Sequence, residues 1–482
     1  MRERFETLVT VILISAITVS PILWFLQHPV RFLLCAFLIG VASLLSLKCL
    51  ETAGFSLVIR SRLLRQLPIY LGIASSLGLL VLNFLGIFGL ANLLLALYVV
   101  LLMPGFVVLR IIKLRCSILE MLVLSFGLSL AITGLFVTPL LHLAEGLRAL
   151  IVAIGYLLFS TIPIIIERSA GNHSEKLDTH EQRGDLINVA SLVTIVLLFT
   201  LICGTIYPIA SHAPVDDILA HWRSSRLISR NPEVYSSAYP WFHIFESTIY
   251  ALSRPSMAVF MSVLAFLSVL LVLTFYVLAN KYLKDVNPSL PIFATVIWSL
   301  FSGFGWLHYI QMSIPHQTMS RAALLWIVSD RSYWDTLFGQ GPWLWLFLRP
   351  ITLGFLLLFT LLFLLKLKDL KSLRFTLIFS LLTMALGLIH IPELLVFIAV
   401  LFITSVLTPQ LDLRLKEAWL STFIGLVGIS AIVHILSTQG VMVGIPYCLL
   451  IALAPVSLLG WYVASCSWGG AKIKVGQGFT KW

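Results

Sequence analysis

Stretches of about seventeen to twenty-five apolar residues recur along the whole chain, each long enough to cross the hydrocarbon core of a bilayer as an α-helix. The candidate spans lie near residues 7–26, 31–47, 68–86, 88–109, 118–142, 149–166, 187–207, 256–279, 290–306, 343–365, 375–390, 393–409, 418–436 and 443–466. Lipid offers no partner to backbone N–H and C=O groups, so such spans must be helical. The expected fold is therefore all-α: a polytopic membrane protein of about fourteen transmembrane helices. A mean hydropathy of +1.02, with charged residues at 11%, excludes an ordinary soluble enzyme. No small-residue cleavage site follows the first apolar run, which is read as a retained span rather than a signal peptide.

Placing the N-terminus in the cytoplasm puts every lysine in an inside segment, and the basic residues left outside are all arginines. That asymmetry is the positive-inside bias of a multi-pass plasma-membrane protein, with both termini cytoplasmic. It accounts for the net charge of +11 through membrane lipids, without nucleic acid as a partner. The six cysteines lie in or beside candidate spans, so no structural disulfide is expected. Residues 1–166 form an N-terminal membrane module of about six helices, and 167–186 a polar cytoplasmic linker. Residues 187–482 form a second membrane unit with long outer loops at 208–255 and 307–350. Asn172-His173-Ser174 matches a glycosylation sequon but falls on the inner side. Loops of that length in a compact helical protein are usually functional.

The first outer loop holds "HAPVDDILAHWRSSRL", residues 212–227, a dense knot of ionisable groups in an apolar chain. Asp216 and Asp217 open a helical-looking stretch, and Asp217 shares a face with His221. Capping of a helix N-terminus is the plain structural role for these acids. A carboxylate pair could instead ligate a divalent cation through Asp217 and His221, or one carboxylate could act as general base on an acceptor hydroxyl. The same loop ends in "YSSAYPWFHIFESTIY". Tyr239, Trp241 and Phe242 suit a membrane interface, and His243 and Glu246 fall on one helix face. Arg349 sits in an apolar run from Pro342 to Leu365. It either snorkels to headgroups or, with Arg223, clamps a phosphate with its guanidinium fork. Residues 375–411 are uncharged except for Glu393 and are too long for one crossing. Pro392 marks the break, which sets His390 and Glu393 at an outer turn. An ionisable residue in such a place is a site candidate by default. No GxxxxGK[ST] loop occurs, so any phosphate arrives attached to a lipid.

This arrangement resembles the GT-C class of integral-membrane glycosyltransferases, whose signature is an acidic motif in the first long outer loop followed by a YP element. The matching residues are Asp216 and Asp217, then Tyr239-Pro240 and His243. "DILAHWR", Asp217 to Arg223, looks like the D-x-x-x-H-x-R run of archaeal oligosaccharyltransferases. "HIPE", His390 to Glu393, looks like a His/Glu turn of related prokaryotic proteins. The similar region starts near residue 187, while "PGFVVLRIIKLRCSILEMLVLSFGLSLAITG" looks like a membrane module that precedes such cores. Oligosaccharyltransferases also carry a soluble C-terminal domain with a WWDYG motif. Here "YWDTLFG" at 333–339 is only a displaced echo, so the expectation is a single-sugar transferase like the mannosyl- and aminoarabinosyl-type members.

The resemblance implies an extracytoplasmic enzyme that moves a sugar from a polyprenyl-phosphate donor to a glycan, lipid or protein acceptor. Asp217, with Asp216 as its alternate, would be the catalytic carboxylate. Arg349 and Arg223 would hold the donor phosphate. His221, Tyr239, His243, Glu246, His390 and Glu393 would line the substrate cavity. A divalent cation, Mg or Mn, stays open as a cofactor. A transporter or flippase for a lipid-linked saccharide, or a glycan polymerase or ligase, would carry similar loops and is the alternative reading.

Overall fold

The computed structural model describes residues 61–169, 216–301, 350–443 and 453–461, less a few positions at 115, 256–259, 261–268, 289, 368–369 and 408–412. The candidate spans at 7–26, 31–47 and 187–207, Arg349 and the segment 307–349 lie outside them. The described chain is almost wholly helical. Its first half comprises α1 (Ser61–Phe84), α2 (Leu90–Leu101), α3 (Met103–Ile111), α4 (Ile118–Val137) with a 3-10 turn at Thr138–Leu140, and α5 (Glu145–Ser169). The second half comprises α6 (Asp216–Arg230), α7 (Pro240–Ser253), α8 (Val269–Leu283), α9 (Leu290–Phe301), α10 (Pro350–Leu364), α11 (Ser372–Ile389), α12 (Ile391–Leu407) and α13 (Leu413–Thr438). Two two-residue strands, β1 (Ser236–Ser237) and β2 (Met442–Val443), pair in parallel.

Among the described residues, six segments are long and apolar enough to cross a membrane: 67–84, 90–111, 119–140, 145–166, 372–389 and 414–438. Leu71, Leu77 and Val81 on α1, Phe402 and Ile403 on α12, and Ile424 and Val427 on α13 stand exposed. Outward apolar faces of that extent suit hydrocarbon rather than water.

Local chemistry sets the helix limits. Ser117 accepts a hydrogen bond from the Glu120 N–H at 3.3 Å, and the Ser117 N–H donates to Glu120 Oε2 at 2.8 Å. This reciprocal box fixes where α4 begins. The apolar run expected as one span at 88–109 is interrupted at Leu102, and Pro104 enters α3 in its first turn. Proline lacks an N–H, so it fits where helical donors have no partner and not in the middle of a helix. Pro392 acts likewise at the start of α12: α11 stops at Ile389, and His390 is extended at φ −159°.

Contacts define two ends of the bundle. Arg374 Nη1 donates to the Ile112 carbonyl at 2.6 Å, Lys281 pairs with Glu120 at 3.4 Å, and Arg414 donates to the Leu370 carbonyl. These bring the end of α3, the start of α4, the end of α8 and the starts of α11 and α13 together. The described lysines (113, 281, 284, 366, 371 and 416) lie at or just beyond those helix ends or the end of α10. The opposite end gathers the turns after α1 and α4, the α11–α12 break and the short strand pair.

Helix α7 lies across that second end. Trp241 Nε1 donates to Thr138 Oγ1 at 3.2 Å at one extremity, and the Gly89 N–H donates to the Ser253 carbonyl at 3.2 Å at the other. Both tips therefore meet the same end of the bundle, and fourteen residues are too few to cross a bilayer. Every residue of α7 except the half-buried Tyr250 is buried, packed against α2, α4, α5, α6 and α11. The loop expected at 208–255 is thus two helices, α6 and α7, seated on the bundle.

Candidate functional site

The site is built by α6 and α7 together. α6 is amphipathic and starts at Asp216; Asp217 follows in its first turn, and the side chains of both lie outside the described residues. Four residues on, one face of α6 turns toward α7. His221 Nδ1 lies 2.9 Å from His243 Nε2, and one turn later Ser225 Oγ lies 2.5 Å from Glu246 Oε2. The spacing of four on α6 against three on α7 lets successive turns of the two helices meet.

His243 is fully buried, with its other nitrogen, Nδ1, 2.6 Å from the Tyr235 hydroxyl. Burial and then the neighbouring His221 hold it well below the ordinary histidine range, so it is neutral. A neutral imidazole has one donor and one acceptor. One of Tyr235 and His221 therefore donates to His243 while the other accepts, and the three rings form a directed chain. Burial also pushes the Tyr235 hydroxyl up, so it keeps its proton.

Glu246 is buried, and that burial pushes its carboxyl up to about 8, against the opposing effect of its bond to Ser225. Hydrogen-bond geometry agrees. Ser225 Oγ also lies 3.0 Å from the His221 carbonyl, and one hydroxyl proton cannot serve two acceptors. A protonated Glu246 donating to Ser225 satisfies all three groups. The unfolded chain releases this proton near 4.5 and the folded one near 8, so stability is fully present below pH 4.5 and is lost as pH rises to about 8. Glu246→Gln keeps a neutral donor and is expected to remove that slope. Melting curves of the membrane-reconstituted protein from pH 4.5 to 8 check it; parallel wild-type and variant curves would contradict it.

Tyr239 joins this cluster to the α11–α12 turn. It precedes Pro240 at the first position of α7, and its ring stacks on His390 with centroids 5.2 Å apart and planes 24° apart. His221 lies edge-on to Tyr239 and Phe242 at 5.6 and 5.3 Å. His390 Nδ1 contacts Glu393 Oε2, and both residues are buried. α10 closes on this turn at Gly354, where an added Cβ would sit 2.9 Å from both Glu393 Oε2 and His390 Cβ.

The structure thus brings together His221, Tyr239, His243, His390 and Glu393, with Glu246 one turn away. Arg223 is exposed on α6, outside these contacts. Arg349 lies outside the described residues, immediately before α10. Sequence reasoning missed Tyr235, Ser225 and Gly354. Ser225 was open to it, four residues from His221; the other two carry no local signal. A separate cavity of about 510 Å³ opens between the link from the 3-10 turn to α5, the end of α6 and the residue after α13. Leu141, His142, Glu145, Ser229, Arg230, Glu233 and Gln439 line it. The contacts among His221, Tyr239, His243, His390 and Glu393, with the shifted protonation of His243 and Glu246, make this cluster the candidate site.

Among the described residues no group of three or more His, Cys, Asp or Glu side chains is placed to hold a metal ion. The cation expectation rests on Asp217, whose side chain lies outside the described residues. No protein-family model matches the chain, and no curated protein and no solved structure matches it.

Proposed function

We propose that the chain is an extracytoplasmic glycosyltransferase of GT-C type, moving a sugar from a polyprenyl-phosphate donor to a glycan, lipid or protein acceptor. One observation carries the reading: five polar side chains, His221 on the helix that starts at Asp216, Tyr239 and His243 at the start of α7, and His390 and Glu393 at the α11–α12 break, form one chain of contacts at a single end of the bundle. In this reading the lysine-bearing end is cytoplasmic, the whole chain crosses the membrane about fourteen times, and the cluster faces the exterior at the lipid–water boundary.

Asp217, with Asp216 as alternate, takes the proton of an acceptor hydroxyl, and that oxygen attacks the anomeric carbon of the donor. The bond from that carbon to the phosphate oxygen breaks, and polyprenyl phosphate leaves. Arg349 and Arg223 hold the phosphate as its charge grows, an interaction stronger in the transition state than before it. Buried His243 fixes the ring of His221, and Glu393 fixes that of His390, so that these two imidazoles would keep acceptor hydroxyls oriented.

The test is the full-length protein in liposomes with a synthetic polyprenyl-phosphate sugar and a glycan acceptor. A new glycosidic bond supports the reading. Movement of the donor between leaflets without a new bond overturns it in favour of a transporter or flippase. Chains that lengthen by whole repeat units point to a polymerase or ligase.

A further inference from the structure

Arg148 is the most buried cation described, at 1% exposure, on the first turn of α5. Its guanidinium donates to three oxygens from two other places: the Leu141 carbonyl at 3.3 Å, the Ser229 carbonyl at 3.1 Å and the Ser229 hydroxyl at 2.6 Å. Ser229 is in the last turn of α6, where helical carbonyls have no intrahelical donor and the dipole end is negative. A buried cation there satisfies the carbonyl and complements the dipole at once. Glu145, one turn earlier on α5, lies 3.1 Å from Arg226 and 3.5 Å from Arg230. Arg226 in turn stacks over Tyr250 of α7 at 4.0 Å from the ring centroid. Half of α6 is thus gripped by the helices before residue 170, and its other half by α7 through His221 and Ser225.

We infer that Arg148 is a positioning residue: it latches the N-terminal helices to the end of α6 and so sets where that helix holds its acidic start and His221. The inference rests on the proposed transfer only for its kinetic consequence. The central packing of α4 against α3 and α11 does not involve the latch, so its loss should release α6 and leave that packing intact.

The experiment is backbone hydrogen exchange of the full chain in lipid nanodiscs, comparing residues 216–230 with 118–137. Hydrogen bonds to a charged group are individually strong, so Arg148→Leu is expected to speed exchange in 216–230 by about tenfold or more and leave 118–137 unchanged. Arg148→Lys, which keeps the charge but not the fork, should give a smaller rise. Adding Ser229→Ala to Arg148→Leu should add nothing further, because both remove one contact. If Arg148→Leu does not accumulate, Ser229→Ala alone removes the hydroxyl half of the latch and should show the same pattern at lower amplitude. Unchanged exchange in 216–230, or equal rises in both segments, overturns the inference. Exchange is read without substrate, so the latch can stand even if wild-type protein transfers no sugar. Where transfer is seen, the latch predicts a fall in kcat; an unchanged kcat overturns the positioning role.

Discussion

Asparagine at both Asp216 and Asp217 is expected to abolish sugar transfer while the protein still reaches the membrane at its normal level. The substitution separates two roles that these acids could have. α6 starts at Asp216, and a helix start needs side-chain acceptors for its free N–H groups. Asparagine caps about as well as aspartate. The lost negative charge at the positive end of the dipole costs only about 0.3–1 kcal/mol. α6 keeps its further ties through Arg148, Glu145 and Glu246, so that loss does not unseat it. What asparagine cannot do is take a proton from an acceptor hydroxyl, a contribution of about 10²–10⁴ in rate. On the proposed reading, transfer in liposomes therefore falls at least about a hundredfold, with hydrogen exchange in 216–230 close to wild type. Full transfer by the double variant would leave the acids as helix caps and remove the catalytic role assigned to them.

The parts legible in the sequence were those that depend on length and on proline. The stretch 375–411 is too long for one crossing and contains Pro392, and the structure divides it at His390. Segment 240–253 was expected as the end of an outer loop and is a helix; at fourteen residues, apolar on most of its surface, it lies across an end rather than through the bundle. Periodicity also put His221 on one face of its helix. It could not name the neighbour: that Ser225 meets Glu246 depends on how α6 folds back over α7, and the intervening turn carries no such signal. Arg148 was harder. An arginine at the edge of an apolar span looks like one reaching for headgroups, and Ser229, which buries it, is far along the chain. The break at Leu102 was missed because the hydrophobic pattern runs through it unchanged; only Pro104 marks it.

Gly105→Ala is expected to destabilise the bundle by about 3 kcal/mol, despite being a change of one methyl group. Alanine favours a helix over glycine by about 1 kcal/mol, so propensity alone predicts the opposite sign. Contact decides it. An added Cβ at Gly105 would lie 1.9 Å from the Ser125 carbonyl oxygen and 2.5 Å from its carbonyl carbon and Cα. Those atoms are the backbone of α4 and cannot swing away, so α3 and α4 must separate. Separation also stretches the bond from the Gly105 N–H to Ser129 Oγ, now 2.8 Å, in a place where no water can replace it. Small residues that admit such close backbone approach are the usual basis of helix association in lipid. Gly72→Ala on α1 is the control. Its Cβ would meet Met103 Cγ at 2.4 Å, but a methionine side chain has several rotatable bonds and can move aside. Thermal melting of the two variants in the same membrane mimetic should show a clear loss at Gly105 and a small one at Gly72. Trimming Ser125 to glycine should not rescue Gly105→Ala, because the obstructing atoms belong to the main chain. Equal losses at the two glycines, or rescue by Ser125→Gly, would mean that the close approach of these two backbones is not what holds α3 against α4.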